Sequence, residues 1–175
     1  IFYYVIFRII RNFLDKDIII KIYKFKVFGS IKKNFTSYFL LKKCEFGDYH
    51  ELDTIERFSN YKKVFLVDCG CNYGFYSLHT ASISKKNNVI SIEASTQTSN
   101  EFLKNYRLNN FENITFVNKA ISDEDNEEIH FNESENDWES SLTHDHFNLK
   151  SVMKIKTIKI DTLLQTYKLD DYFLF

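Results

Sequence analysis

The chain has 175 residues, enough for one domain, and its charge is almost balanced, with 23 Lys and Arg against 24 Asp and Glu. Apolar residues make up 44% of the sequence and charged residues 27%, a composition that excludes a disordered or fibrous chain. Three cysteines are too few, and odd in number, for a disulfide framework. Without a basic excess we expect no nucleic-acid partner.

The charges are unevenly distributed along the sequence. Residues 1–50 carry ten Lys and Arg against four Asp and Glu. We interpret these cations as solvated side chains beside an apolar face, with contact to an anionic surface as the alternative. Residues 122–139 carry nine Asp and Glu and no Lys or Arg, which predicts a solvated loop or hairpin.

An apolar run at residues 1–7 opens the chain and is followed by Arg8 and Arg11. A bilayer span needs about 20 apolar residues, so we expect no transmembrane span here and leave peripheral membrane contact open. The run lacks the cleavage site of a signal peptide, and a cytoplasmic location is expected. Because the chain starts without Met and stops inside a predicted strand, we expect a fragment of a longer protein.

Residues 1–60 are predicted to form an N-terminal extension that packs on the core. Its pattern is weak, since residues 1–28 suit either helix or strand and residues 35–46 suit a strand. A short helix is predicted at 49–58, because apolar side chains recur there at every third position.

Residues 61–175 are predicted as a partial α/β domain, because strands and helices alternate there. The unbroken apolar run at 64–67 is typical of a parallel strand buried on both faces. Further strands are predicted at 89–92, 114–117, 129–132, 152–160 and 172–175, and helices at 75–84, 98–109 and 162–167. Thr98 with Glu101 is interpreted as a capping box, and Asp161 as the N-cap of the last helix.

The segment Asp68-Cys69-Gly70-Cys71-Asn72-Tyr73-Gly74 follows the first of these strands and opens a helix. Gly70 allows a sharp turn with a ligand against the backbone, and Gly74 allows the helix to begin close to the strand. We expect the helix N-terminus to present free N–H groups to an anionic part of the ligand. In a doubly wound sheet, ligands bind beyond the carboxyl ends of the strands, where this turn lies.

The residues of the turn disfavour a dinucleotide. A dinucleotide fingerprint needs glycines at positions 70, 72 and 75, where this chain has Gly70, Asn72 and Phe75. The anionic Asp68 instead tolerates the ammonium and sulfonium groups of S-adenosylmethionine. Glu93 ends the second strand and can accept both ribose hydroxyls, while residues 118–123 can border an adenine.

This pattern resembles the FkbM-type family of S-adenosylmethionine-dependent methyltransferases, clearly over residues 64–123 and loosely through 175. The shared features are Asp68-x-Gly70-x-Asn72-x-Gly74-Phe75-Tyr76, Glu93, the helix with Leu103, Asn105 and Asn109, Ala120-Ile121-Ser122 and the segment 157–163. The resemblance implies a Rossmann-like class I methyltransferase fold, a three-layer α/β sandwich that here is incomplete after the fourth core strand. It also implies O-methylation of a small-molecule or glycan acceptor, such as a sugar or secondary metabolite.

The resemblance also implies a set of cofactor-binding residues. The turn that would hold the methionine part consists of Asp68, Gly70, Cys71, Asn72, Tyr73, Gly74 and Phe75. Glu93, followed by Ala94, would hold the ribose, and Ala120, Ile121 and Ser122 would border the adenine. The family usually has Pro at the position of Ala94, and Ala or Val at those of Cys69 and Cys71. We expect these swaps to be tolerated, because they conserve size.

Other chemistry-bearing residues have simpler interpretations, and no metal site is expected. Cys69 and Cys71 are interpreted as small buried thiols, because a C-x-C pair on one tight turn cannot easily close a disulfide. His144-Asp145-His146 and Trp138 are interpreted as parts of a polar loop, and His79 as a packed or surface residue of a helix.

No catalytic base is assigned, although Glu45, Asp48 and His50 precede the first core strand and are candidates. Two alternatives to an active methyltransferase stay open. One is a non-catalytic cofactor-binding fragment of a methyltransferase. The other is an NAD-dependent oxidoreductase, which Asn72 and Phe75 disfavour.

Overall fold

A computed structural model of the protein describes residues 18–29, 49–134 and 149–175, so the strand predicted at 35–46 lies outside the described residues. The strands are β1 (Ile18–Ile22), β2 (Phe25–Gly29), β3 (Lys63–Cys69), β4 (Asn88–Ile92), β5 (Ile114–Val117), β6 (Ala120–Ile121), β7 (Glu128–Ser134), β8 (Leu149–Ile158) and β9 (Tyr172–Leu174). The helices are α1 (Tyr49–Ser59), α2 (Phe75–Ile83), α3 (Thr96–Asn109) and α4 (Ile160–Leu164). In these ranges no helix combines the length and apolar character that crossing a bilayer requires.

The central sheet contains four described strands in the order β5-β4-β3-β9, and every neighbouring pair is parallel. Counted along the chain, β3, β4, β5 and β9 are its first, second, third and fourth strands. The spatial order 3-2-1-4 is that of the first four strands of a Rossmann-like sheet. The predicted Rossmann-like α/β fold class is therefore confirmed.

Side chains of the central strands alternate between two apolar layers, as the period of a strand requires. On one face, Leu66, Val89 and Ile114 pack with residues of α2, α3 and β2. On the other face, Phe65 and Ile90 pack against the segment of α4 and the residues that follow it. The sheet thus lies between two layers, as in a three-layer sandwich.

The N-terminal hairpin, formed by β1 and β2, settles part of the ambiguous segment 1–28 as strand. Ile22 pairs with Phe25 across a two-residue turn, in which Tyr23 has a φ of 49°. Phe25 and Val27 are each 1% exposed and join the core between α2 and α3. This hairpin therefore contributes directly to the layer that covers one face of the sheet.

A second, three-stranded sheet has the order β6-β8-β7, and its strand β7 contains residues 128–134 of the acidic segment. Here β7 and β8 are antiparallel, and β6 runs parallel to β8. The acidic segment thus begins as a loop and continues into an antiparallel pair, which agrees with its interpretation as a loop or hairpin up to residue 134.

Both predicted helix caps are wrong, because the capping groups lie elsewhere. Helix α3 begins after Ser95, whose hydroxyl accepts a hydrogen bond from the Thr98 N–H at 3.2 Å, so Thr98 is not the cap. Helix α4 begins after Lys159, and Asp161 lies inside its first turn. Asp125 accepts hydrogen bonds from the Lys159 N–H at 2.8 Å and the Thr162 hydroxyl at 2.6 Å, and it stabilises this helix start from a distant loop.

Candidate functional site

Asp68 lies near the carboxyl end of β3, in register with Ser91 of β4. Its Oδ2 accepts two hydrogen bonds from Ser77, one from the backbone N–H at 3.1 Å and one from the hydroxyl at 2.5 Å. The Ser77 hydroxyl also lies 2.6 Å from that of Ser91, so the hydroxyl that bonds the carboxylate is itself held by a second buried hydroxyl. Burial raises the pKa of the Asp68 carboxyl above its ordinary value, and the bonds from Ser77 oppose that rise.

The predicted anion site at the start of α2 requires a correction. Ser77 is the third residue of this helix, and its N–H is already bonded to Asp68. A side-chain carboxylate therefore occupies part of the helix N-terminus that was expected to be free for a ligand. Asp68 would also repel a phosphate brought to the same place.

The turn between β3 and α2 depends on backbone conformations with positive φ. Gly70 has a φ of 77°, Asn72 of 50° and Gly74 of 86°. A Cβ added at Gly70 would meet no atom within 4 Å, so space is open beside the backbone there. A Cβ at Gly74 would lie 2.5 Å from the Phe102 ring, so this glycine permits close approach of α3 rather than of the strand.

Glu93 follows β4 and is only 8% exposed. Its Oε2 accepts a hydrogen bond from the Asn72 N–H at 3.0 Å, and its Oε1 accepts one from the Ser95 N–H at 2.9 Å. The pKa of Glu93 is raised, chiefly by burial and also by the negative charge of Asp68, while its backbone hydrogen bonds act in the opposite direction. The carboxylate thus joins the turn to the start of α3.

Asp68 and Glu93 are therefore brought to the same rim of the sheet, as a common ligand would require. They follow adjacent parallel strands, and the turn that begins after Asp68 returns to donate to Glu93. The turn is further fixed to β4 by two hydrogen bonds, from the N–H groups of Gly70 and Cys71 to the Ile92 carbonyl at 2.8 and 2.9 Å. Two close carboxylates with raised pKa values form a site that favours a cation.

The residues predicted beside the adenine lie on the Glu93 side of this rim. Ala120 is buried, and Ala94 packs against the apolar cluster that contains it. Ile121 belongs to β6, and the Ser122 N–H donates to the Ile158 carbonyl at 3.2 Å. The segment is thereby held to β8, next to the backbone that follows Glu93.

The interpretation of both cysteines as buried thiols is half wrong. Cys71 is 5% exposed and belongs to the core, whereas Cys69 is exposed at the end of β3. Burial raises the pKa of both thiols, and the charge of Asp68 raises both further. Neither side chain is therefore poised as a thiolate nucleophile.

The remaining candidates do not join this rim in the described structure. His50 is exposed on α1, and His79 is buried on α2, where its Nε2 lies 3.3 Å from the Leu52 carbonyl. Among the described residues no group of three or more His, Cys, Asp or Glu could hold a metal. The residues singled out in the sequence that lie outside the described residues are Glu45, Asp48, Trp138, His144, Asp145 and His146.

Sequence reasoning missed several polar residues that hold the site in place. Ser77 and Ser91 support Asp68, and Ser95 supports Glu93. The Asn118 amide donates to the Glu93 carbonyl at 2.7 Å and fixes the backbone of that residue. A signal was present for Ser77, which lies three residues after the helix-opening glycine. Asn118 belongs to the segment 118–123 that was predicted to border the adenine, but its bond to Glu93 was not predicted.

No protein-family model matches the chain, and no curated protein matches it. A similar solved structure is M. jannaschii TYW2 in complex with AdoMet, at 19% identity and a TM-score of 0.46 over 60% of this chain and 44% of that one. A SAM-dependent methyltransferase from Agrobacterium tumefaciens has 14% identity and a TM-score of 0.45 over 61% and 33%. The M. jannaschii tRNA m1G37 methyltransferase has 15% identity and a TM-score of 0.41 over 65% and 42%.

The chain thus spans less than half the length of each of these three structures. At TM-scores below 0.5 the similarities do not establish an activity for this chain. The geometry of its own rim is what supports a function.

Proposed function

We propose that this chain is the cofactor-binding part of an S-adenosylmethionine-dependent methyltransferase. The observation that carries the proposal is the placement of Asp68 and Glu93 on one rim of a Rossmann-like sheet, where the turn that follows Asp68 donates the Asn72 N–H to Glu93. Ligands in such sheets bind outside the carboxyl ends of the strands, which is where this rim lies.

The charge of the rim suits this cofactor. Burial raises the pKa values of Asp68 and Glu93, and the charge of Asp68 raises that of Glu93 further, so a cation between or beside them relieves an unfavourable charge. S-adenosylmethionine brings an ammonium and a sulfonium, and when bound it supplies the electrophilic methyl group. Asp68 and the turn at 70–75 would hold the methionine part, with the open side of Gly70 admitting it against the backbone.

Glu93 is suited to hold the ribose. Its carboxylate oxygens accept the N–H groups of Asn72 and Ser95, and the Ala94 N–H also bonds the carboxylate. A carboxylate has about four lone-pair sites, so acceptor capacity is left for a ribose hydroxyl. Its side chain is fixed by these bonds, so it is oriented before the ligand arrives. Ala94 and the segment from Ala120 to Ser122 would border the adenine on the same side.

A dinucleotide suits the rim less well. The pyrophosphate of such a ligand normally sits at the N-terminus of the helix after the first strand. Here Asp68 accepts the Ser77 N–H at that place and would repel the phosphates. The same carboxylate attracts the ammonium of a methionine, and this difference favours the methyltransferase over an NAD-dependent oxidoreductase.

The hydroxyl of a sugar or other small metabolite is the proposed methyl acceptor, and this finer part of the proposal rests on the resemblance to the FkbM-type family. Methyl transfer from a sulfonium needs alignment of donor and acceptor more than a covalent group from the protein. No described residue is assigned as the catalytic base, and binding of cofactor without transfer is the outcome expected of a non-catalytic fragment.

Isothermal titration calorimetry with S-adenosylmethionine, S-adenosylhomocysteine and NADH tests the proposal. We expect the wild-type chain to bind the first two, and Asp68→Asn to weaken both by about tenfold or more, because a charge-assisted contact to the ammonium is lost. Glu128→Gln is the matched control, since it neutralises an exposed carboxylate on β7 and should leave binding unchanged. Binding of NADH without S-adenosylhomocysteine would overturn the proposal.

A further inference from the structure

Asn105 of α3 is a buried amide that contacts two separate parts of the chain. It is 1% exposed. Its Oδ1 accepts a hydrogen bond from the Phe28 N–H of β2 at 2.7 Å, and its Nδ2 donates to the Tyr73 carbonyl at 3.0 Å. One side chain therefore links the N-terminal hairpin to the turn between β3 and α2.

The spacing of helix and strand explains how this link forms. Asn109 lies four residues after Asn105, and its amide bonds both the N–H and the carbonyl of Lys26, at 2.7 and 2.6 Å. Residues four apart on a helix are about 6 Å apart along its axis, and residues two apart on a strand about 6.6 Å. The spacing of the two asparagines thus matches that of Lys26 and Phe28. Their amides bond the backbone groups at the outer edge of β2 that a neighbouring strand would otherwise bond.

The two asparagines differ in the hydrogen bonds that they make away from the hairpin. The Nδ2 of Asn109 also donates to the Asn105 carbonyl of its own helix, at 2.7 Å. In the described ranges, no hydrogen bond joins the Asn109 side chain to the turn. Asn105 bonds the Tyr73 carbonyl, one residue from Asn72, whose N–H donates to Glu93. Of these two asparagines, Asn105 is therefore the one whose side chain bonds both the hairpin and the turn.

We infer that Asn105 is a positioning residue that makes the N-terminal hairpin a supporting part of the cofactor site. This inference rests on the proposed function for the identity of the ligand, but the link itself is independent of any ligand. Binding at the turn and docking of the hairpin must then favour each other, because a coupling between two sites is reciprocal.

Amide hydrogen exchange of the ligand-free chain tests the link directly. In Asn105→Ala, we expect the Gly74 amide, which bonds the Cys71 carbonyl at 2.8 Å, to exchange about tenfold faster than in the wild type. In the matched control Asn109→Ala, the hairpin amide of Lys26 should exchange faster, and that of Gly74 should keep its rate. Equal effects of the two variants on Gly74 would show general loosening of α3 and overturn the inference.

Calorimetry then separates the inference from the proposed function. We expect Asn105→Ala to bind S-adenosylhomocysteine about tenfold more weakly and Asn109→Ala to bind it as the wild type does. If the wild type binds no S-adenosylhomocysteine, the proposed function fails, while the exchange of Gly74 still decides the link. Normal binding by a folded Asn105→Ala, in a wild type that binds, would overturn the positioning role.

A measurement without substitution covers the case in which Asn105→Ala does not fold. Saturating the wild-type chain with S-adenosylhomocysteine should slow exchange of the Phe28 amide, which bonds Asn105 and lies on the hairpin. Unchanged exchange at Phe28 in a chain that binds the ligand would contradict the coupling.

Discussion

Two groups of carboxylates in this protein have opposite electrostatic settings. Asp68 and Glu93 at the rim of the central sheet have pKa values raised by burial. Asp125 and Glu128 in the acidic segment have lowered pKa values, because they accept hydrogen bonds from Thr162 and Lys154, respectively. Burial therefore disfavours the charged form of the carboxylates at the rim, whereas hydrogen bonds stabilise the charged form of those in the acidic segment.

The difference separates carboxylates whose charge is stabilised by neighbouring groups from those whose charge is disfavoured by burial, and we propose that the latter bind a ligand. In the acidic segment, Asp125 fixes the start of α4, and Glu128 faces Lys154 across the β7–β8 pair. At the rim, Asp68 and Glu93 have no cationic partner within ion-pair distance among the described residues. Buried, perturbed carboxylates in such a place are typical of functional sites, where stability is given up for binding.

The largest expected effect on stability is at the rim, and its sign should differ between the two acids. Glu93→Gln should lower the free energy of unfolding by about 1–3 kcal/mol, because its amide group can accept only one of the two N–H groups and faces the other as a donor. Asp68→Asn should raise it by about 0.5–2 kcal/mol, because a single oxygen can keep both bonds from Ser77 and the buried charge is removed. Urea denaturation measures both.

These two variants sharpen the comparison because they remove the same charge. Loss of stability in Asp68→Asn as large as in Glu93→Gln would mean that both acids are structural, and the contrast with the acidic segment would disappear.

The second expected effect is an opposite dependence on pH. The folded-state pKa of Asp68 lies above its ordinary 3.8, so its contribution to stability is greatest below pH 3.8 and is lost as the pH rises through the raised value. The pKa of Asp125 lies below 3.8, so its contribution is present above that pH and is lost as the pH falls through the lowered value.

Urea denaturation between about pH 3 and pH 8 checks these signs. The stability advantage of Asp68→Asn over the wild type should grow as the pH rises, and the disadvantage of Asp125→Asn should shrink as the pH falls. If the free energy of unfolding depended on pH in the same way in all three proteins, the two groups of acids would not differ in their electrostatic environment.

The smallest expected effect belongs to the exposed ion pair of Glu128 and Lys154, whose Oε1 and Nζ are 2.6 Å apart. Their side chains are 54% and 64% exposed, so solvent and salt screen the pair. Glu128→Gln should leave the thermal midpoint close to that of the wild type, as differential scanning calorimetry would show. A large decrease would place this acid among those that matter for the fold.

Local patterns in the sequence predicted the central sheet well. The strand at 114–117 and the start of α2 at Phe75 agree with the structure, and the strands at 64–67 and 89–92 differ by only one or two residues at their ends. Unbroken apolar runs and a glycine-containing turn specify these elements through backbone geometry and burial on both faces. The caps of α3 and α4 were misplaced, because the choice among several nearby polar residues depends on contacts the pattern does not contain.

The sequence by itself therefore indicated that Asp68 and Glu93 lie at the carboxyl ends of neighbouring parallel strands, because two strands joined by one helix usually pair side by side in an α/β sheet. Only the tertiary structure decided that Asp68 closes the start of α2 through Ser77, that Cys69 is exposed, and that Asn105 joins Phe28 to Tyr73. Those contacts connect residues 9, 77 and 32 positions apart, so they depend on how whole helices and strands pack and not on any local period.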